Sequence, residues 1–576
     1  MSFCQTDAFS VAVVGAGPTA VYFLNDLIKR APGCSVTFFE AGEEAGRGMP
    51  YAMSHNDNGM LANIASIEIP PLRQTLSQWL SGLSDNIREE MGVSAHEDDE
   101  REFYPRVVLG RFFAAQFAML VAAAEVQGFK VRVWDKTRVL DISPSASNVV
   151  IRYQGPTDEM CLKQFDAVMI ATGHTWPGVT RDQAGVYHSP YPAWRLDHIH
   201  NCTVGIVGTG LSAIDAVYRI ATNHGEFCAA DHPDRLTYKP GRFADDLHIT
   251  MMSRKGLLPE ADFYCPLPYE PLDIFSETAL QDMVEQASDQ LLDRAFALFK
   301  QQLAHADPGY ADQIHLSDLS VETFQPAYFQ ARKSSCPFAW AQKNLDEALA
   351  NLDGKHTVAH LYTILRCHEP FQDLLEHMSD EDVERFNTHL KDVFIDNYAA
   401  VPAESIMRLL ALHKAGKLDV LALGPEYEIE PRQPLAGVRI QYNQEQKTFD
   451  ALVHAVGQRL LTIDQLPFPS LVSRLLPRAR KTGPAATGRQ LPPQVHYLET
   501  DEHYKIVSDS IGAAPVFCVA APFLMADRPF IQGITASAEM AEAVADGLSG
   551  IVRDRTHGGA ASTVAFDKLL HRLDQQ

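Results

Sequence analysis

The chain has 576 residues, of which 46% are hydrophobic and 21% are charged, and its formal net charge is −24. This length exceeds what one ordinary core serves, so two or three structural units are expected, and the composition is that of a globular protein rather than a disordered one. The negative charge disfavours nucleic acid and an anionic membrane as partners, because both require a basic footprint.

Other whole-chain features indicate a cytoplasmic protein. The nine cysteines are scattered and include no CxxC pair, which argues against a disulfide framework, a structural zinc site and a disulfide reductase, and fits a reducing compartment. No stretch approaches the roughly 18 unbroken apolar residues of a membrane-spanning helix. The N-terminus lacks the basic segment and cleavage site of a signal peptide.

The first forty residues predict a strand, a tight turn, a helix and a second strand. In order, these are Phe9–Val14, the turn Gly15-Ala-Gly-Pro-Thr-Ala20, a helix from Pro18 to about Arg30, and Ser35–Glu40. Gly15 permits the tight turn, Gly17 lets the backbone approach a pyrophosphate, and Ala20 allows close packing of helix on strand. Glu40 follows Ala20 by about 20 residues, where an acid accepts hydrogen bonds from a ribose diol. The pattern predicts a bound dinucleotide with its pyrophosphate at the helix N-terminus.

A second copy of this pattern begins near residue 203. A later strand of the first copy, Phe165–Ile170, leads into Ala171-Thr-Gly-His174. The second copy then has a predicted strand Thr203–Val207, the turn Gly208-Thr-Gly-Leu-Ser-Ala213, a helix from Ile214 to about Thr222, and a second strand His248–Met252. No acid ends its second strand; Ser253-Arg254-Lys255 follows instead. Arg254 and Lys255 suit the 2′-phosphate of NADP, whereas the alternative is that they are ordinary surface cations.

The remaining chain predicts a helical insertion and a return to alternating structure. In the insertion, helical periodicity is present at Glu277–Gln302, Leu345–Leu352 and Val383–Phe394. The alternating part that follows has a predicted helix Glu404–Lys414, a strand Leu418–Leu423, a strand-then-glycine segment Phe449–Gly457, a strand Val516–Ala520 and a helix from about Ala536 to Gly547. An acidic run at 97–102 and a basic run at 474–489 are typical of solvated surface. His198 and His200 lie in a polar loop without further ligands, so we expect no metal site.

These elements predict an α/β fold with two nested Rossmann-like dinucleotide-binding domains and a mostly helical insertion. The first domain takes residues 1–196 and 461–576, the second takes 197–269 and 404–460, and the insertion takes 270–403.

Two nested dinucleotide folds, each with a late strand ending in Ala-Thr-Gly or Ala-Val-Gly, resemble the two-dinucleotide-binding flavoproteins. Several segments resemble a bacterial FAD/NAD(P)-binding group that includes nitrosuccinate-forming L-aspartate N-monooxygenases and a FAD-dependent urate hydroxylase: 46–51 (GRGMPY), 60–66 (MLANIAS), 103–106 (FYPR), 171–174 (ATGH), 253–256 (SRKG), 340–344 (WAQKN) and 528–533 (RPFIQG). Many members have a Gly-Val-Ala-Phe-Gly-like stretch and a His-Leu-Leu-Asn run at the first two segments. In this chain only the glycines, an aromatic and Asn63 carry across, which puts the substrate in question.

The resemblance implies a set of cofactor residues. The ADP half of FAD would be held by Gly15, Gly17, Pro18, Thr19, Ala20 and Glu40, and its pyrophosphate would be reached by Arg47 and Gly48. The flavin would lie near Asn63 (the catalytic candidate), Gly173, Gln532, Gly533 and Ile534. NAD(P)H would be held by Gly208, Gly210, Leu211, Ser212, Arg254 and Lys255. Arg106 is a further candidate that could equally be a buried structural cation. A helix starting near Ala536 would add its positive dipole end beside the flavin pyrimidine.

The implied activity is that of an FAD-dependent monooxygenase. NADPH or NADH would reduce FAD, O2 would form a flavin C4a-hydroperoxide, and the amine of a small amino acid such as L-aspartate would attack it. Lys239, Arg242 and Lys333 are candidates for holding an anionic substrate. Two alternatives stay open, namely a C-hydroxylase or other NAD(P)H oxidoreductase with the same cofactors, and a non-catalytic flavoprotein whose helical region binds a partner.

Overall fold

We describe the protein from a computed structural model. The structure describes residues 8–31, 33–93, 101–175, 185–230, 235–286, 290–432, 436–476 and 496–573, with side chains up to 555. Residues 97–100 and 477–489 of the two predicted surface runs lie outside the described residues.

The helices and strands alternate in the first and last parts of the chain and are almost all helices in between. The first part of the chain contains β1 (Ser10–Val14), α1 (Pro18–Arg30), β2 (Ser35–Phe39), α2 (Leu76–Ser81), α3 (Asp85–Glu90), α4 (Arg106–Val126), β3 (Lys130–Trp134), β4 (Arg138–Pro144), β5 (Val149–Gln154), β6 (Met160–Phe165), β7 (Ala167–Ile170) and β8 (Val186–Tyr187). The next part contains β9 (Thr203–Val207), α5 (Leu211–His224), β10 (Gly225–Ala229), β11 (Leu236–Pro240), β12 (His248–Ser253), α6 (Glu277–Glu285), α7 (Leu291–Ala306), α8 (Pro308–Gln313), α9 (Val321–Lys333), α10 (Pro337–Gly354), α11 (Ala359–Leu375), α12 (Asp380–His389) and α13 (Lys391–Tyr398). The last part contains α14 (Ala403–Lys414), β13 (Leu418–Ala422), β14 (Tyr427–Pro431), β15 (Val438–Tyr442), β16 (Glu445–Phe449), β17 (Ala451–His454), α15 (Pro469–Leu475), β18 (Val516–Cys518) and α16 (Ile534–Leu573).

Two parallel sheets of five strands organise the molecule. The first has the strand order β18-β7-β1-β2-β3, and the second has the order β8-β17-β9-β12-β13. An antiparallel sheet of three strands precedes β7 in one unit and β17 in the other. The central strands are apolar and buried, as expected where helices cover both faces of a parallel sheet. The predicted α/β class with two nested Rossmann-like units is therefore confirmed.

One strand corrects a predicted domain boundary. β8 lies inside the range 1–196 assigned to the first unit, yet it pairs with β17 of the second sheet through Leu452↔Val186. The second sheet thus begins about ten residues before the predicted boundary at 197. A strand of two residues has too short a pattern to be assigned from sequence.

The insertion between β12 and α14 is helical, and two of its predicted segments are each divided into two helices. α6 ends at Glu285 and α7 begins at Leu291, while Leu390 leaves the helical backbone angles between α12 and α13. Its core is rich in fully buried phenylalanines, namely Phe275, Phe299, Phe324, Phe371, Phe386 and Phe394. Buried Arg332 ties it to the second unit, because it donates to the Leu258 carbonyl at 2.6 Å and pairs with Glu260 at 3.5 Å. Asp396 of the insertion holds the same guanidinium at 2.5 Å.

Within the described residues, helix α4 alone is long and apolar enough to cross a membrane by length and composition. Its side chains Leu109, Phe112 and Phe113 pack in the core of the first unit, and 56% of its most apolar window is buried. A core helix passes the same test, so α4 is weak evidence for a membrane span.

Candidate functional site

The first glycine turn has a geometry that only glycine tolerates. The Gly15 amide donates to the Phe39 carbonyl at 2.9 Å, which ties the turn to the end of β2. Gly15 has φ +97°, and a Cβ there would lie 2.3 Å from the Ala171 carbonyl oxygen. A Cβ on Gly17 would lie 3.2 Å from the Gly48 Cα, so the predicted residues Gly17 and Gly48 meet at the N-terminus of α1.

Polar groups of the predicted type surround this turn. The Glu40 carboxylate accepts from the Ala16 amide at 3.0 Å and from the Gly42 amide at 2.6 Å, which fixes it beside the turn. Arg47 pairs with Glu44 at 2.6 Å, and its buried Nε has no hydrogen-bond partner among the described residues. The predicted residues Pro18, Thr19 and Ala20 form the first turn of α1, which carries no acidic side chain. The positive end of that helix is thus available to an anion such as a pyrophosphate.

The second glycine turn repeats the first. The Gly208 amide donates to the Met252 carbonyl at 2.7 Å, its φ is +129°, and a Cβ there would lie 2.3 Å from the Ala455 carbonyl oxygen. Ser253, the last residue of β12, stands where Glu40 stands in the first unit, and its hydroxyl accepts from the Gly256 amide at 3.0 Å.

The side chains of the two predicted cations after β12 point to different parts of the molecule. Arg254 lines a cavity together with the second glycine turn. Lys255 instead pairs with Asp392 of the insertion at 2.7 Å, and its ammonium lies 4.0 Å from the centre of the Phe329 ring. Arg254, rather than Lys255, therefore lines the space beside this turn.

A cavity of about 1430 Å³ lies where the two units and the insertion meet. The predicted site residues in its wall are Asn63, Arg106, Gly208, Gly210, Leu211, Ser212, Arg254, Gln532, Gly533 and Ile534. The other predicted site residues lie outside that wall, namely Gly15, Gly17, Pro18, Thr19, Ala20, Glu40, Arg47, Gly48, Gly173 and Lys255. All but the last two of these lie at or beside the first glycine turn, so this turn lies outside the cavity wall, whereas the second turn lies in it.

The wall between Asn63 and Gly533 fits the polar edge of a flavin ring. The buried Asn63 Oδ1 has no hydrogen-bond partner among the described residues. Gly533 has φ +126°, and a Cβ there would meet no described atom within 4 Å. Because α16 begins at Ile534, the positive end of a helix faces this space. An unsatisfied acceptor, open backbone and a helix N-terminus suit a ring that offers an N–H and gains negative charge on reduction.

Arg106 has the geometry of a structural cation. It pairs with Asp215 of the second unit at 2.5 Å and donates to the Tyr191 hydroxyl at 3.1 Å. Burial opposes the charge, but the neighbouring Asp215 carboxylate holds the pKa of Arg106 above its ordinary value. Burial also raises the pKa of Tyr191 to about 12. This favours the structural alternative for Arg106, which joins the two units at the cavity wall.

Ionisable residues that the sequence did not indicate form another part of the wall. Burial, together with the neighbouring Glu68 carboxylate, raises the pKa of Asp262 to about 7. Arg101 lies near both acids and its guanidinium is 4.4 Å from the centre of the Tyr264 ring. Glu68, Arg101 and Asp262 are far apart in the chain, so no local sequence pattern predicts that they meet.

The predicted anion-binding candidates are elsewhere. In the part of the chain that the structure describes, Lys239, Arg242 and Lys333 are exposed and lie outside the cavity wall. Their assignment to the substrate is therefore wrong for this cavity, because β11, the loop after it and the end of α9 point them to solvent.

Comparisons with known proteins agree with this geometry. Residues 12–175 match a family described as FAD-NAD(P)-binding, and residues 276–398, inside the insertion, match a family described as YdhS-like middle domain. The chain is 39% identical over 535 residues to the protein YdhS of Escherichia coli K12, which covers 93% of this chain and 96% of that protein. The predicted cofactors FAD and NAD(P)H, and the class of flavoprotein oxidoreductase, are confirmed.

Solved structures show a similar fold. The reduced ornithine hydroxylase PvdA of Pseudomonas aeruginosa matches with a TM-score of 0.50 and 14% identity, over 94% of this chain and 99% of that one. The ornithine N-hydroxylase of Kutzneria sp. 744 matches with a TM-score of 0.47 and 14% identity, over 95% of this chain and 100% of that one. At such low identity the likeness concerns the fold alone.

Proposed function

The chain belongs to the family of the E. coli protein YdhS, and from this premise we propose that it is an FAD-dependent monooxygenase that consumes NAD(P)H and O2 and N-hydroxylates a small amine substrate. One observation carries the proposal. The cavity wall joins the second glycine turn, Gly208–Ser212, to Asn63 and to the loop Gln532–Ile534. A nicotinamide held by one unit and a flavin held by the other would therefore meet in the same space.

Bound FAD would supply the redox chemistry, accepting a hydride and activating O2. The protein's own residues would hold and orient it. The first glycine turn and Glu40 would bind the ADP half, and the amide N–H groups at the start of α16 would stabilise negative charge at the ring. Asn63 Oδ1 would accept a hydrogen bond from the ring edge, which would orient it toward the cavity.

The second unit would bind the reductant. Gly208–Ser212 would hold its pyrophosphate at the N-terminus of α5, and Arg254 would contact a 2′-phosphate. Because Ser253 stands where Glu40 stands in the first unit, that position carries no carboxylate to repel the phosphate. We therefore favour NADPH over NADH.

The substrate would bind between the flavin edge and the insertion. The L-aspartate candidate rests on the family resemblance. The wall formed by Glu68, Asp262 and Arg101 favours a substrate that carries one more positive charge, because two acids face one cation there. Arg101 would suit the carboxylate of an amino acid, and the two acids would suit an ammonium group.

The test is NADPH consumption by the FAD-loaded enzyme, without substrate, with L-aspartate, and with L-ornithine, paired with mass spectrometry of the products. Oxidation stimulated by one amino acid, with a product heavier by oxygen on nitrogen, supports the proposal. Oxygen on carbon would indicate a C-hydroxylase, and oxidation insensitive to every amine would indicate a simple oxidoreductase. Tight FAD binding without NADPH turnover would indicate the non-catalytic alternative.

A further inference from the structure

Phe530, in the loop that follows β18, belongs to the core of the insertion. Among the described residues it is the one buried member of that core from outside the insertion, and it is 6% exposed. Its ring makes edge-to-face contacts with four rings of α11, α12 and α13, at centroid distances of 5.6 to 6.1 Å: His368, Phe386, Phe394 and Tyr398. Such contacts add to the free energy gained from burying the ring.

Polar contacts hold the same loop to the same helices. The Phe530 amide donates to the Gln372 Oε1 at 3.0 Å, and Arg528 pairs with Glu376 at 3.0 Å. The next residues belong to another core, because Ile531 and Ile534 are buried in the core of the first unit. The chain thus passes from one core to the other between Phe530 and Ile531, directly before Gly533 in the cavity wall.

This contact joins segments that belong to different units in chain order. The insertion lies between β12 and α14 and so belongs to the second unit, whereas the loop belongs to the first. We propose that the insertion positions the cavity-facing loop 531–534 for the flavin, and that Phe530 is the positioning residue through which it does so. The insertion is then a fixed brace between the units rather than a detached partner-binding domain. Only the consequence for the flavin rests on the proposed function.

The experiment compares Phe530→Leu with Phe299→Leu in the full-length chain. Phe299 is a fully buried ring of the same core, but its ring contacts are to Phe275, Phe296, Phe324, Phe371 and Phe394 rather than to the loop. Hydrogen exchange of the amides at 530–534 is measured without cofactor, and FAD affinity and flavin fluorescence are measured by titration. Gln372→Met is a milder second variant, because it removes the acceptor for the Phe530 amide and leaves the ring cluster in place.

We expect Phe530→Leu to speed exchange of the loop amides by about tenfold or more and to weaken FAD binding by about tenfold, with a changed fluorescence of the bound flavin. Gln372→Met should speed exchange at the Phe530 amide in particular. Phe299→Leu should lower overall stability while leaving loop exchange and FAD affinity within about threefold of the wild type. Equal loop exchange in the Phe530 variant and the wild type, or equal FAD effects of the two ring variants, would overturn the inference. If the wild type bound no FAD, the proposed function would fail, and the exchange result would still decide whether the insertion holds the loop.

Discussion

The two dinucleotide-type units have the same glycine-turn geometry and differ in the side chains at the end of the second strand. In both, the first glycine of the turn donates to the carbonyl at the end of that strand, and in both a Cβ would lie 2.3 Å from a neighbouring backbone oxygen. Glu40 follows β2 and accepts from the Ala16 amide, whereas Ser253 ends β12 and Arg254 follows it. The sheet geometry therefore dictates the turn, and the proposed difference in nucleotide rests on one or two side chains.

Substitutions that disrupt one glycine turn at a time should have the greatest effects. Gly15→Ala and Gly208→Ala should each destabilise their unit by about 3 kcal/mol, because the new methyl group meets backbone at a positive φ. Gly15→Ala should lose FAD, and Gly208→Ala should retain FAD that NADPH no longer reduces. FAD content after purification and anaerobic reduction measure both. The opposite pattern would exchange the roles of the two units.

The next effect concerns the cations after β12. Arg254→Ala should weaken NADP+ binding by about 30-fold, or about 2 kcal/mol, and leave NAD+ binding unchanged. Lys255→Ala is the matched control and should change NADP+ affinity by less than about threefold, because Asp392 already holds its ammonium. Calorimetry on the FAD-loaded protein measures both. Equal losses in the two variants would show that Lys255 also reaches the phosphate.

The corresponding change in the first unit should have a smaller effect. Glu40→Gln keeps the size of the side chain and removes the charge that, in the proposed site, would face the ribose hydroxyls. FAD affinity should fall by about tenfold, or about 1.4 kcal/mol, with NADP+ affinity unchanged. Fluorescence titration of the apoprotein with FAD measures the first, and an unchanged FAD affinity would contradict the ribose assignment.

The smallest effect concerns the wall that the units share. Since the pKa of Asp262 is raised to about 7, this carboxyl is neutral below that pH and negative above it. Binding of L-ornithine should therefore tighten about fivefold from about pH 6 to about pH 8, as the carboxylate forms. Equilibrium binding, rather than turnover, is the measurement, because N-hydroxylation also needs a deprotonated amine. Asp262→Asn should flatten the profile, and a profile that persists in this variant would assign it to another group.

The features of the molecule that could be predicted from sequence are local. The turns at Gly15 and Gly208, with the strands and helices beside them, lie in short continuous segments whose residue types report their backbone. The remainder depends on contacts between distant residues. Lys255 meets Asp392 across 137 residues, and Phe530 meets Gln372 across 158. No spacing rule links such pairs, so the direction of Lys255, the acids of the cavity wall and the docking of the loop required the structure.

In the proposed reaction, NAD(P)H held by the second unit delivers electrons to a flavin in the first. The most direct test is anaerobic mixing of the FAD-loaded protein with NADPH or NADH, followed by loss of the oxidised-flavin absorbance. We predict that NADPH bleaches the flavin at least about tenfold faster than NADH at equal subsaturating concentrations, and that Gly208→Ala abolishes the reaction while retaining FAD. A flavin that neither nucleotide reduces, or one that NADPH reduces equally well in Gly208→Ala, would contradict it.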